Sequence, residues 1–193
     1  MVYQIALFTH ILGVICLMGG RTLIHAGMLI MSRARAMERI RDWAGIYGGL
    51  TRSMPVFALA ILLAGLYMAW TSWTFNIPWI DASLGVFLVV IALSSTVLRR
   101  NFVALSREIR AAQSESVPAP LVARIRDRAM WATEYGISGL LLGIVFLMTV
   151  KPDLTGSVLA LSIGLLAGVL IGILVTSRLA QAAPGVAATA SPR

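Results

Sequence analysis

"TGSVLALSIGLLAGVLIGILVTSR", Thr155 to Arg178, carries no charge until its last residue. At about 1.5 Å of rise per residue, ~20 helical residues cross a bilayer core of ~30 Å. The stretch holds no proline, and glycine is common in membrane helices. It therefore predicts a transmembrane helix over 155–177. Working back along the chain, four more apolar runs have comparable length, at 4–31, 54–74, 82–98 and 130–150. The fold class that follows is an all-α, polytopic membrane helix bundle of five transmembrane helices over residues 1–178. The remaining 179–193 include the low-complexity "AQAAPGVAATASPR" and read as a disordered cytoplasmic tail.

Composition agrees. Of 193 residues, 59% are hydrophobic and 12% charged, against about 25% charged in ordinary soluble domains. A net charge of +8 would suggest nucleic acid in a soluble protein. Here the basic residues sit in short segments between apolar runs, so they report topology, and no nucleic-acid partner is expected. One cysteine excludes an intramolecular disulfide. No Lys or Arg precedes the first run, so it lacks the basic region of a cleaved signal and reads as a retained span.

Fourteen of the sixteen basic residues fall on one side of a five-span arrangement. Basic loops stay in the cytoplasm, which predicts N-out and C-in in a bacterial inner membrane, with the lipid bilayer as the first partner. The outer segment "MAWTSWTFNIPWID" gathers Trp70, Trp73, Phe75 and Trp79. Amphipathic rings favour the headgroup level, so an interfacial belt is expected, with a ligand cage as the alternative. In the first inner segment Met37, Ile40, Trp43 or Ala44, and Tyr47 share a helical face. That segment is expected to lie on the inner surface, its arginines toward anionic headgroups, with a lipid-regulatory patch as the alternative. The second inner segment breaks at "SESVPAP", with a short helical extension on each side.

Within the fifth span, Gly156, Ala160, Gly164, Gly168, Gly172 and Thr176 recur every four residues. Small residues at this spacing let another helix backbone approach closely. The partner is open: Gly136, Gly139 and Gly143 of the fourth span could supply an internal mate, or a homo-oligomer or another membrane protein could dock there.

The first span is the unusual one. "THILGVICLMGGRTLIH", Thr9 to His25, holds both histidines, the cysteine and Arg21. At 100° per residue, His10 and Arg21 lie about 20° apart and His10 and His25 about 60° apart, so the three share a stripe. Cys16 falls off it. An arginine at the bilayer centre costs at least ~2.5–3.5 kcal/mol on the insertion scale. Two readings remain open for Arg21: snorkelling to the inner headgroups, or pairing inside the bundle. Glu134, one turn into the fourth span, is the acidic residue at the right depth for Arg21 or His25.

The two histidines are separated by roughly 22 Å along one helix, too far to ligate one iron. His10 alone, with a second ligand from elsewhere or from a second copy, keeps a haem b or quinone redox role open. Copper is a third possibility, with Cys16, Met18 or Met28 as soft donors. No metal site, nucleophile–base set, phosphate loop or zinc motif is visible.

Several features resemble a group of small bacterial integral membrane proteins classed as a domain of unknown function (DUF2269), over about residues 3–155. They are His10 followed by Gly19-Gly20, Pro55 entering the second span, "GLYMAW" with "PW" between Gly65 and Trp79, and "FLMTVKPDL" with Lys151-Pro152. The resemblance implies a membrane bundle without an assigned activity. Helix 1 is also distantly similar to the haem-dependent protoporphyrinogen oxidase type and to copper-resistance membrane proteins, through His10 and Gly20. The oxidase type carries a lysine early in its third span, where this chain has Asp81 and Ala82. The expected function is a non-enzymatic membrane or assembly component. The redox protein using His10 and the copper-handling protein are the alternatives.

Overall fold

The computed structural model of the chain describes residues 1–73 and 76–181. The helices are α1 (Val2–Arg33), α2 (Met37–Ser72), α3 (Pro78–Leu93), α4 (Arg99–Ala111), α5 (Ala119–Ile125), α6 (Arg128–Val150) and α7 (Leu154–Gln181). A π-helical turn, Ser94–Leu98, joins α3 to α4. Among the described residues, five helical stretches are long and apolar enough to cross a membrane: α1, α2, α3 with α4, α5 with α6, and α7. Their outward faces carry exposed Ile, Leu and Val, which suits lipid.

Glycine decides which helices touch. Gly13, Gly20 and Gly27, seven residues apart on α1, all face α2, where they meet Ile61, Met54 and the Trp43 ring. The ladder on α7 faces α6. A Cβ on Gly164 would land on the Gly139 carbonyl, and one on Gly168 on the Tyr135 carbonyl. A Cβ on Gly172 would lie 2.6 Å from the Trp131 carbonyl oxygen. The face that the sequence offered to an internal mate or to a partner is thus filled by α6. Gly156 is not part of this contact: its nearest neighbours are Pro152 and Asp153 in its own turn.

The core divides into two. One cluster lies between the spans around Leu17, Phe87, Ile137 and Leu147. The other sits at the basic end around Met28, Met37, Ile40, Ile125 and Trp131. Here the structure corrects the sequence reading. Residues 37–53 do not form a separate surface helix. They are the first part of α2, which continues through Pro55 to Ser72. Met37, Ile40 and Tyr47 are buried against the protein, because α1, α4, α5 and α6 supply a dry surface for that face.

Local chemistry fixes the ends. The Asp127 carboxylate caps α6 by accepting from the Ala129 and Met130 amides, and Pro78 opens α3. The Trp131 indole donates to the Ile125 carbonyl at 2.8 Å. Arg126 closes the end of α1, its Nε and Nη2 donating to the Ser32 carbonyl at 3.1 and 2.7 Å. Arg126→Ala is expected to cost about 1–2 kcal/mol, since charged hydrogen bonds are the stronger kind. The readout is a lower unfolding midpoint in detergent, and an unchanged midpoint would make the clamp incidental.

At the opposite end Trp70 and Trp73 are exposed, Trp70 almost fully. Trp79 is buried and meets Trp73 edge-on, and Lys151 Nζ lies 4.5 Å from the Trp73 ring centre and 5.7 Å from that of Trp79. These rings face a cation from the chain itself. Phe75 lies outside the described residues. So does most of the tail from 182 on, whereas residues 179–181 complete α7.

Candidate intramembrane polar site

Arg21 is buried, with 6% of its surface exposed, so it does not snorkel. Its Nη2 lies 2.7 Å from Glu134 Oε2. The same nitrogen donates to the Glu134 main-chain carbonyl at 2.6 Å, and Nε donates to Ser138 Oγ at 3.2 Å. The Oε2 contact is out of line for a hydrogen bond and is held by charge. Glu134 Oε1 accepts from the Tyr47 hydroxyl at 3.1 Å. A cation and an anion, both withdrawn from water, thus neutralise each other, with α2 adding a third point of contact. Nothing in the sequence reading had singled out Tyr47 for this role. Its place on an apolar helical face was visible, and its hydroxyl, which must find a partner when buried, was the available signal.

His25 belongs to the same group. Its ring stacks on Tyr135 with centres 4.1 Å apart and planes 6° from parallel, and its Nε2 lies 3.4 Å from Ser138 Oγ. His10 does not join them. Its Nδ1 hydrogen-bonds the Ile61 carbonyl at 2.9 Å, and its ring rests against Gly65, where a Cβ would come within 3.2 Å. The stripe on α1 therefore follows the seam between two neighbours: His10 faces α2, and Arg21 and His25 face α6. Helical angle placed the three on one side, but helices cross, so a shared side does not mean a shared neighbour.

The soft donors are dispersed. Met28 is buried in the basic-end core, whereas Cys16 and Met18 are half-buried on α1. Among the described residues, no three His, Cys, Asp or Glu side chains converge.

A second feature opens beside the polar group. A cleft of about 1040 Å³ between α2 and the α3–α4 rod reaches Arg21, Tyr47 and Glu134.

The chain matches the family described as a predicted integral membrane protein (DUF2269) over residues 4–152. It belongs to that family. The match takes in every member of the polar site of this DUF2269 protein and the whole wall of the cleft, and it ends just before α7. No curated protein and no solved structure matches the chain. The distant similarity of helix 1 to the oxidase and copper-resistance types gains no support from these comparisons. Family membership gives this DUF2269 protein an integral membrane character and no reaction.

Proposed function

We propose that the chain is a non-enzymatic membrane or assembly component of the bacterial inner membrane, N-terminus outside and C-terminus in the cytoplasm. One observation carries this reading: the charged groups at membrane depth are consumed by each other. Arg21 and Glu134 are paired, and Tyr47 and Ser138 are bound to them. Although the cleft reaches them, the two charges are spent on each other and tie α1, α2 and α6 together, which supports a structural use of the pair. The orientation rests on the arginines gathered at one end, which the positive-inside rule assigns to the cytoplasm.

A second reading has its own observation. The hydrogen bond from His10 Nδ1 to a main-chain carbonyl leaves Nε2 with its lone pair, the tautomer a metal- or haem-ligating histidine uses. An absorption spectrum and metal analysis of the detergent-purified protein separate the readings. We expect a colourless, metal-free protein. A Soret band lost in His10→Ala would overturn this in favour of redox work. Stoichiometric copper without such a band would favour copper handling.

A further inference from the structure

The cleft between α2 and the α3–α4 rod has two unlike halves. The half between the spans is apolar, floored by Leu17, Phe87 and Leu141. The half at the basic end is walled by arginines: Arg41 and Arg52 from α2, and Arg99, Arg107 and Arg110 from α4. Because α4 continues α3, it runs antiparallel to α2. Arg52 therefore stands level with Arg99 at the neck, and Arg41 with Arg107 and Arg110 about 16 Å further out.

These cations have little to neutralise them. Among the described residues, none of the five has a carboxylate within 4.0 Å; the ion pairs present are Arg21–Glu134 and Arg124–Glu108. Glu134, the acidic residue of the cleft wall, is already spent on Arg21. Arg41 donates to the Ala112 carbonyl, which holds it across the mouth without cancelling its charge. α2 is built small on that side, with Gly45 and Gly49 in the wall, whereas Gly48 beside them is covered by the Phe102 ring. An added Cβ at Gly45 or Gly49 would meet nothing within 4 Å. At about 1040 Å³ the space is as large as the upper range of ligand pockets.

We propose that this cleft binds one anionic glycerophospholipid from the bilayer, phosphate at the Arg52–Arg99 neck and an acyl chain along Phe87 and Leu141. Charge complementarity selects the headgroup, and basic pockets between membrane helices take such groups. The apolar half selects the source. It lies between spans, where an acyl chain fits and a small water-soluble anion would leave it unfilled. The site is independent of His10, so it stands whichever reading of the function holds.

The test is lipid titration of the delipidated full chain, followed by native mass spectrometry, with dioleoyl phosphatidylglycerol against dioleoyl phosphatidylcholine. One equivalent of the anionic lipid is expected to bind about tenfold or more tightly than the zwitterionic one. The double variant Arg52→Gln, Arg99→Gln should weaken the anionic lipid about thirtyfold, given the attraction of each basic residue to an anionic headgroup. Gly49→Leu, which adds apolar bulk to the cleft wall where a Cβ meets no atom within 4 Å, should exclude both lipids while the unfolding midpoint without lipid stays put. Equal affinity for the two lipids would overturn the proposal, as would wild-type binding in both variants. Full competition by inorganic phosphate would point to a soluble anion, and a dimer that occludes the cleft to a second copy; either result also overturns it.

Discussion

Arg21→Ala and Glu134→Gln, each alone, are expected to destabilise the folded protein by about 3–5 kcal/mol, the cost of stranding one partner of a buried ion pair. Both residues are almost fully withdrawn, at 6% and 2% exposure, so the surviving charge has no solvent to turn to. Glu134→Gln is the sharper test. It keeps the shape of the side chain and an acceptor for Tyr47, and removes only the charge that faces Arg21. The double variant Arg21→Met, Glu134→Leu should recover most of the loss, because apolar replacement of an entire buried pair is often neutral or better. Unfolding midpoints and folded yield in detergent measure all three. If both single variants match the wild type, the pair contributes nothing and the reading of its purpose falls with it.

The second large effect lies between α6 and α7. Gly168→Ala adds one methyl group, which in an unobstructed helix would help by about 1 kcal/mol. Here the methyl would fall on the Tyr135 carbonyl and close to the Gly136 Cα. Those atoms belong to the backbone of a packed helix and cannot rotate away as a side chain would. Overpacking of a core costs about 1–3 kcal/mol and more where the obstacle is rigid, so a net loss of about 3 kcal/mol is expected. Gly85→Ala is the control, since a Cβ there meets nothing within 4 Å. It should leave the midpoint unchanged or slightly raised. Gly168→Ala behaving like Gly85→Ala would show that the two backbones are not in contact.

Much of this was readable in the residues. Hydropathy locates the spans because a bilayer demands about 20 apolar residues whatever the protein does. Arg21 and Glu134 could be matched because both depths are counted from helix ends, and scarcity of acidic residues left little choice. The ladder on α7 was visible at i, i+4. The seven-residue series Gly13, Gly20, Gly27 escaped a search at that spacing, although it sets the α1–α2 approach. The length of α2 was hidden by Pro55, a helix breaker in water that membrane helices tolerate. The cleft was the least legible feature. It consists of what two helices fail to fill, and only the placement of the helices reveals that Gly45 and Gly49 border space while Gly20 and Gly172 border atoms.

The π-helical turn at Ser94–Leu98 has a consequence for the rod that contains it. A turn of this kind holds one residue more than an α-helical one, so everything after it is rotated by about 100° relative to an uninterrupted helix. Ser94, Ser95 and Leu98 themselves border the cleft. The turn thus acts as a phase adjuster: it lets a helix that has shown one face to the interior at Phe87 and Val90 present Arg99, Arg107 and Arg110 on the same side of the molecule. Without that single extra residue, the arginine row of α4 would point a quarter-turn away, and the cleft would keep its apolar half and lose its charge.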